Sequence, residues 1–342
     1  MGAGYSNDRV FVSSDGIQWN ANGSLWYYGN GLLMHKAVSF AGALWLFTGQ
    51  YIDEYYYEPE GDEYGSATFL LHDILKVEDA NWFPAIFPVP WQPRFDSVGL
   101  VFAGRLWVIG GVTASEEPID FADFEPLNDV WYSEDGETWV EATSGAPWCP
   151  RSGHACVVFQ DKLWLLGGYD GHRALNDVWV SDDGATWEQV TDQAPWRGRS
   201  GHSAVVYQDT LWVIAGANRN TNLSDVWVYE PAATEGEGEG EPAPQRYYHS
   251  ADKDTDREIS LNELLRVIQF YNSDGLHCEP CTEDDYDPGV GDQGCRHHDS
   301  DYRFPDWRIA LTELLRLIQF YNTPGGYHPC PDGEDGFCPG PA

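Results

Sequence analysis

The sequence predicts a mainly β chain assembled from repeated four-stranded units, with a small α domain near its C-terminus. Three observations carry that expectation. A phrase of the form D-V-W-x-S-x-D-G-x-x-W recurs through the first part of the chain. A second phrase, Leu-Trp followed by two apolar residues and a Gly-containing pair, alternates with it. Further on, ELLRVIQFYN at Glu263–Asn272 returns as ELLRLIQFYN at Glu313–Asn322.

The first phrase is clearest at Asp129–Trp139 (DVWYSEDGETW) and Asp177–Trp187 (DVWVSDDGATW). A partial copy runs from Asp8 to Trp19, a degenerate one begins at Asp73, and a last one at Asp225 stops after DVWVYEP; these aspartates are 65, 56, 48 and 48 residues apart. The second phrase reads LWLFTG at Leu44, LWVIGG at Leu106, LWLLGG at Leu163 and LWVIAG at Leu211. Each unit therefore holds four short strands, a to d. In the third unit they are predicted at His154–Gln160, Lys162–Gly168, Asp177–Asp182 and Thr186–Thr191. The pairs Asp15-Gly16, Asp135-Gly136 and Asp183-Gly184 suit tight c–d hairpins, because Gly takes positive φ without a Cβ clash. Strands a and b are nearly continuous apolar runs, as expected of sheets buried on both faces. Four-stranded units repeated about an axis make a β-propeller. About four blades are expected: three full units, a c–d half at the start and an a–b–c part at the end.

Composition agrees and excludes several functions. The chain has 342 residues, 42% of them hydrophobic, with 16 Trp, 36 Gly and only 2 Met, which suits short strands and tight turns. Lys+Arg number 19 against 55 Asp+Glu, a net charge of −36 that repels nucleic acid and anionic lipid. No apolar run approaches the ~20 residues that span a bilayer. Residues 1–20 have neither a basic n-region nor an apolar h-region, so no signal peptide is visible.

The diglycines, the following N-D-V-W and the closing Trp resemble kelch repeats over residues 1–231. The resemblance implies a kelch-type β-propeller that presents a ligand-binding face. Thr48-Gly49 and Ala215-Gly216 depart from the diglycine, and the first and last units are incomplete, as expected of a chain that lacks further N-terminal blades and a leader.

Residues 232–246 contain the acidic stretch TEGEGEGEPAP (Thr234–Pro244), an extended and self-repelling spacer. Beyond it, residues 247–342 hold the duplication. Leu261, Leu264, Leu265, Ile268 and Tyr271 recur at helical spacing, so each copy is expected to form an amphipathic helix with an inward apolar face. Asp252, Asp254, Asp256, Ile259 and Glu263 fit a twelve-residue calcium loop: carboxylates at positions 1, 3 and 5, the Glu258 carbonyl at 7, an apolar residue at 8 and a carboxylate at 12. Position 6, ordinarily Gly, is Arg257, which is expected to weaken binding. The second loop, Asp301–Glu313, is one residue longer, with Asp306, the Arg308 carbonyl and Glu313 in place, Arg303 near the third ligand position and Asp299 as a substitute ligand. Pro242 and Pro244 before the first loop, and Gly289, Gly291 and Gly294 before the second, support no entering helix. Paired loop-plus-exit-helix units of this kind resemble dockerin modules over residues 247–323. That resemblance implies Ca²⁺ as cofactor, an extracellular or cell-surface location, and a cohesin-like or other cell-surface protein as partner. The repeated polar positions Arg266, Gln269, Asn272, Arg316, Gln319 and Asn322 are candidates for the partner-binding face.

Two readings stand for the cysteines. Cys278-x-x-Cys281 with Cys295, His297 and His298 has zinc-ligand character, whereas five cysteines in a small Gly/Pro-rich domain also suit extracellular disulfides, with Cys330–Cys338 the first pair to draw.

On the propeller, Arg94, Arg151 and Arg199 each stand just ahead of a strand a. They form either an anion pocket or a repeated structural bridge to Asp129, Asp177 and Asp225. The segment Gln50–Leu71 carries Tyr51, Tyr55, Tyr56, Tyr57 and Tyr64, which either stack on sugar rings or cover a blade edge; Val112–Leu127 carries Phe121 and Phe124. No H-E-x-x-H, P-loop or G-x-S-x-G motif is present. His154 and His202 stand at equivalent places in adjacent units, as repeat-structural residues do. The sequence therefore reads as a non-catalytic, secreted or cell-surface binding protein for a protein or glycan, attached through a calcium-stabilised module. The alternative is a carbohydrate-active enzyme (a sugar epimerase, oxidase or sialidase-like protein) delivered by that module.

Overall fold

The computed structural model describes residues 9–12, 20–24, 32–33, 36–47, 49–57, 64–70, 73–77, 85–114, 124–218, 221–229 and 248–341, apart from 274, 280, 283, 303–305, 331–332 and 334. The chain divides into two compact units, 1–163 with 181–187 and 164–180 with 188–342.

Three four-stranded sheets follow one another, each in simple a-b-c-d order. The first is Lys36–Phe40, Ala43–Phe47, Asp73–Val77 and Ala85–Pro88; the second is Val98–Phe102, Arg105–Ala114, Phe124–Ser133 and Trp139–Thr143. The third is Ala155–Phe159, Lys162–Tyr169, Ala174–Ser181 and Glu188–Thr191, so its strand c begins three residues ahead of Asp177. A fourth sheet has a, b and c among the described residues: Ser203–Tyr207, Thr210–Ile214 and Val226–Tyr229. Arg9–Val12 and Asn20–Ser24 pair as the expected N-terminal c–d half. The tyrosine-rich segment is a hairpin, Gln50–Tyr57 against Tyr64–Leu70, rather than a loop. Continuous burial holds for strand b of the second and third sheets but not for strand a, which has a neighbour on one side only; Ser203–Tyr207 is largely exposed.

The c–d turns are built by their own side chains. Ser133 Oγ accepts the Gly136 N–H at 2.7 Å, and Asp135 Oδ1 accepts those of Glu137 and Thr138 at 2.8 and 2.7 Å. The Thr138 N–H, joined by those bonds, holds the Asp135 carboxyl down at about 2. Ser181, Asp183 and Gly184 repeat the turn. Each turn glycine also makes room for an indole. A Cβ on Gly136 would fall 2.3 Å from Trp45, and one on Gly184 2.2 Å from Trp107. The strand-b tryptophan of one sheet thus lies flat on the c–d turn of the next.

In the C-terminal region, helix α1 (Leu261–Tyr271) and helix α2 (Leu311–Tyr321) each follow a loop. The described residues ahead of each loop, 248–251 and 289–300, are turn or irregular backbone with no helix. Leu264, Val267 and Phe270 on α1, and Leu314, Leu317 and Phe320 on α2, form the core with Ile259 and Ile309. Leu261, Leu265 and Tyr271 point outward and are 54, 50 and 38% exposed, correcting the inward face expected for them. Leu264 and Leu265 stand about 100° apart on a helix, so only one of them can face the core.

Each helix is followed by a short hairpin: Leu276–Cys278 with Tyr286–Pro288, and Tyr327–Pro329 with Phe337–Pro339. The hairpins cross over. The Leu276 N–H donates to Trp307 O of the second loop at 2.9 Å, and the Tyr327 N–H to Arg257 O of the first at 3.0 Å. Reciprocal bonds also join the approaches to the two loops, Ser250 N to Asp299 Oδ2 at 2.8 Å and Asp299 N to Ser250 Oγ at 2.7 Å. Disulfides join Cys278 to Cys295 and Cys330 to Cys338. Cys149 and Cys281 are also disulfide-bonded, and Cys156 is a buried cysteine outside the disulfides. With Cys278 committed to Cys295, the zinc reading of Cys278, Cys281 and Cys295 has no thiolate set.

Candidate functional site

The first loop gathers the side chains of Asp252, Asp254 and Asp256 so that one oxygen of each lies within 4.8 Å of the others. Its backbone is wound around Asp252, whose Oδ1 accepts the Asp256 N–H at 3.1 Å and whose Oδ2 accepts the Arg257 N–H at 2.8 Å. The winding demands left-handed backbone at position 6, and Arg257 adopts it at φ 66°. Glu263 is buried at the start of α1; its Oε1 accepts the Lys253 N–H and its Oε2 the Ser260 N–H, each at 2.7 Å. It therefore ties the loop to the helix while also completing the N-terminal cap. Glu258 donates its N–H to Asp256 Oδ1 at 2.8 Å.

The carboxylates are crowded. Burial lifts Asp252 well above the ordinary range, with the charges of Glu263 and Asp256 adding. Burial lifts Asp256 to about 6, and the neighbouring Asp254 charge adds to it. Asp254 Oδ1 is buried without a hydrogen-bond donor, its nearest cation being Arg197 Nη2 at 3.9 Å. Every available donor atom is a hard oxygen, and a buried carboxylate oxygen without a hydrogen bond is the kind of group a cation satisfies; the residues present fit Ca²⁺.

The second loop repeats the winding despite its extra residue. Asp301 accepts the Asp306 N–H at 3.3 Å and the Trp307 N–H at 2.7 Å, Trp307 takes φ 63°, and Glu313 Oε2 accepts the Ala310 N–H at 2.7 Å. Asp301 thus stands where Asp252 does. Arg308 follows at the position of Glu258, and Asp299 is engaged by Ser250 and by Arg296 at 3.0 Å. Arg303 lies outside the described residues.

Sequence reasoning missed several residues around the first loop. The Tyr327 hydroxyl, from the far hairpin, donates to Asp252 and receives the His249 N–H. Within the same unit, the link between the third and fourth sheets and the stretch after strand b of the fourth grip the loop. Asn218 Nδ2 and Arg197 Nε donate to Asp254 O at 2.9 and 3.2 Å, and the Gly198 N–H donates to Thr255 Oγ1 at 2.8 Å. Arg197 Nη2 also stands 3.7 Å from Asp256. Arg173 pairs with Asp285, and Arg296 with Asp192 at 3.3 Å.

The other predicted residues are placed as follows. Arg94, Arg151 and Arg199 are fully buried. Arg94 forms a two-pronged pair with Asp129 at 2.6 and 2.8 Å, and Arg199 one with Asp225 at 2.9 and 2.8 Å. Arg151 donates to Cys149 O at 3.0 Å and lies over the Trp148 ring. The side chains of Tyr51, Tyr55, Tyr56, Tyr57 and Tyr64 lie outside the described residues, as does Phe121; Phe124 packs edge-on to Phe95. Arg266 holds Asp284 at 3.0 Å and the Tyr286 carbonyl at 2.7 Å, while Arg316 holds Asp335 at 3.4 Å and the Phe337 carbonyl at 2.7 Å. Each arginine also donates to its own helix's glutamine, Gln269 or Gln319, and Asn272 and Asn322 each bond a carbonyl one turn back. The repeated Arg therefore plays a structural part, fastening the hairpin to its helix.

Comparisons with known proteins bear on the repeats. A curated relative, the leucine-zipper-like transcriptional regulator 1 homolog of Drosophila melanogaster, is 27% identical over 143 residues, 40% of this chain. The chain spans 13% of that relative's length. The solved structure of YjhT aligns with a TM-score of 0.44 and 20% identity, covering 58% of this chain and 63% of that one. The model of the KLHDC2/KLHL20/DRC7 Kelch-repeats domain matches residues 34–258, which takes in all three four-stranded sheets, the incomplete fourth and the start of the first acidic loop. The chain belongs to that kelch-repeat family, and its fold is mainly β and kelch-propeller-like.

Proposed function

We propose that this chain is an extracellular binding protein in which a kelch-type propeller presents a face to a protein or carbohydrate ligand, and a duplicated, calcium-stabilised, dockerin-like module attaches it to a cohesin-like surface partner. Kelch-repeat proteins mediate protein–protein interaction, which supports the first half. The observation that carries the second is the buried, donorless Oδ1 of Asp254 beside Asp252 and Asp256, above a buried Glu263. In the first loop Asp252, Asp254, Asp256, the Glu258 carbonyl and Glu263 would hold Ca²⁺; in the second, Asp301, Asp306, the Arg308 carbonyl and Glu313. Bound Ca²⁺ supplies positive charge that offsets the mutual repulsion of these carboxylates. The exposed Leu261 and Leu265 on α1, matched by Leu311 and Leu315 on α2, supply an apolar face for the attachment. The disulfides suit an oxidising compartment.

The test is a calorimetric Ca²⁺ titration of the full chain beside a Glu263→Ala, Glu313→Ala variant. Saturable binding in the parent, lost in the variant and tightened by Arg257→Gly, is the expected result. No heat and no change in melting temperature on adding Ca²⁺ would remove the attachment half of the proposal.

A further inference from the structure

The three links that lead into a strand a share one frame. Arg94, Arg151 and Arg199 each turn Nε back to the carbonyl two residues earlier, on Gln92, Cys149 and Arg197, at 3.2, 3.0 and 3.2 Å. The frame uses only the backbone of that earlier residue, so its side chain is free to differ, and it reads Gln, Cys and Arg in turn. The repeat therefore gives no reason for an arginine at 197.

Its surroundings give one. Within one compact unit, Arg197 Nη2 stands 3.9 Å from Asp254 Oδ1 and 3.7 Å from Asp256 Oδ2, the side chains at positions 3 and 5 of the first loop. Both distances are ion-pair contacts too long for hydrogen bonds, and Asp254 Oδ1 is buried with no hydrogen bond at all. The guanidinium is held instead by Nε, which donates to Asp254 O at 3.2 Å. The mounting behind it is stiff. Arg199, which fixes Arg197 O, is itself buried and forked onto Asp225. Asn218 Nδ2 bridges Gly198 O at 2.7 Å and Asp254 O at 2.9 Å, and the Gly198 N–H reaches Thr255 Oγ1 at 2.8 Å. A Cβ on Gly198 would fall 2.2 Å from Ala174 O, so the link is packed hard against strand c of the third sheet on its other side.

We propose that Arg197 is a resident counter-charge of the first loop: it steadies Asp254 and Asp256 when no ion is bound and opposes Ca²⁺ when one arrives, so that the sheet link sets the calcium concentration at which the loop fills. The inference rests on the calcium reading of that loop and adds regulation to it. A guanidinium at ion-pair distance offsets the repulsion among Asp252, Asp254, Asp256 and Glu263 only in part, whereas Ca²⁺ does so through direct oxygen ligation. Arg197 cannot withdraw when the ion binds, because its Nε and its backbone are both fastened. A fixed positive charge one carboxylate away from a bound cation lowers the affinity for that cation.

The test is a calorimetric Ca²⁺ titration of the full chain and its Arg197→Gln, Arg197→Lys and Asn218→Ala variants, the first loop's binding being the part that Glu263→Ala removes. Arg197→Gln is expected to tighten that binding by about threefold to tenfold. Arg197→Lys, which keeps the charge, should stay close to the parent. Asn218→Ala, which removes an uncharged donor to the same carbonyl, should not tighten it. The advantage of Arg197→Gln should shrink between roughly 0.1 M and 1 M KCl, where the screening length falls from about 10 Å to about 3 Å; a purely structural brace would show no such trend. In a calcium chelator Arg197→Gln should melt below the parent, and its melting temperature should rise further on adding Ca²⁺. Unchanged or weaker binding by Arg197→Gln, or equal tightening by Arg197→Lys, overturns this proposal and leaves the calcium reading standing. A parent that binds no Ca²⁺ removes both.

Discussion

Replacing Gly184 by alanine drives a methyl group into the Trp107 ring. The added Cβ would lie 2.2 Å from Cζ3 and 2.5 Å from Cη2, and Trp107 has nowhere to retreat. It is 1% exposed, its indole N–H is fixed to Phe102 O at 2.9 Å, and Tyr132 packs 5.1 Å away. Two effects add. Holding a residue with a side chain at φ +77° costs about 1–2 kcal/mol, and overpacking a filled core adds roughly 1–3 kcal/mol. Gly104→Ala separates them, because Gly104 also has positive φ, +72°, yet nothing lies within 4 Å of its added Cβ. Urea unfolding followed by tryptophan fluorescence should give about 1–2 kcal/mol of destabilisation for Gly104→Ala and roughly 2–5 kcal/mol for Gly184→Ala. Adding Trp107→Leu should be less damaging in the Gly184→Ala background than alone, since it removes the clash. Equal destabilisation by the two glycine variants, within ~0.5 kcal/mol, would refute the claim that the turn glycine exists to admit the neighbouring indole.

Two further outcomes follow from buried charge. Asp225→Ala leaves the Arg199 guanidinium buried without its carboxylate and should destabilise by about 3 kcal/mol, the low end for a broken buried pair because Asp225 is itself 41% exposed; adding Arg199→Met should recover part of that loss in denaturant titrations. His202, buried and beside Arg199, is held neutral, its pKa lowered to about 3 by burial first and the arginine second. Between about pH 6.5 and 3 the unfolded chain takes up a proton there that the folded chain does not, so stability falls as pH falls through that window, by about 1.4 kcal/mol per pH unit for this one group. His202→Gln should flatten the measured slope between pH 6.5 and 5 by that amount, and an unchanged slope would count against the neutral, buried assignment.

The repeats were legible because their signals are local. An Asp-Gly turn, a strand-b Leu-Trp and a closing Trp each report on residues within one unit, and the three four-stranded sheets, the N-terminal pair and the a, b and c strands of the fourth follow from counting them. The two loops and helices were legible for the same reason. The outward turn of Leu261 and Leu265 was not, because a helix with apolar residues at both 264 and 265 offers two faces, and only the position of the hairpins decides between them. Those hairpins escaped notice although they repeat: Leu276-His277 answers Tyr327-His328, and Tyr286-Asp287-Pro288-Gly289 answers Phe337-Cys338-Pro339-Gly340. The offset changes from 50 to 51 residues after the helices, which breaks a fixed-period comparison. Asp284 and Asp335, the partners of the repeated arginines, were lost with them. Contacts between distant stretches, such as Arg197 with the first loop, leave no trace in spacing at all.

The crossover of the hairpins makes the last twenty residues of the chain answerable for a site about seventy residues upstream. Trimming after Asn322 would leave both helices and both acidic loops in the sequence, yet it would strip Tyr327 from Asp252 and the strand that holds the Arg257 carbonyl. Neither repeat is a self-sufficient cassette, because each carries the lid of the other. A half-module produced by proteolysis or by a partial gene would be missing one loop outright and would leave the surviving loop uncovered. The duplication has in this sense become irreversible, and the two copies are free to drift in their loops only as long as each continues to close its neighbour.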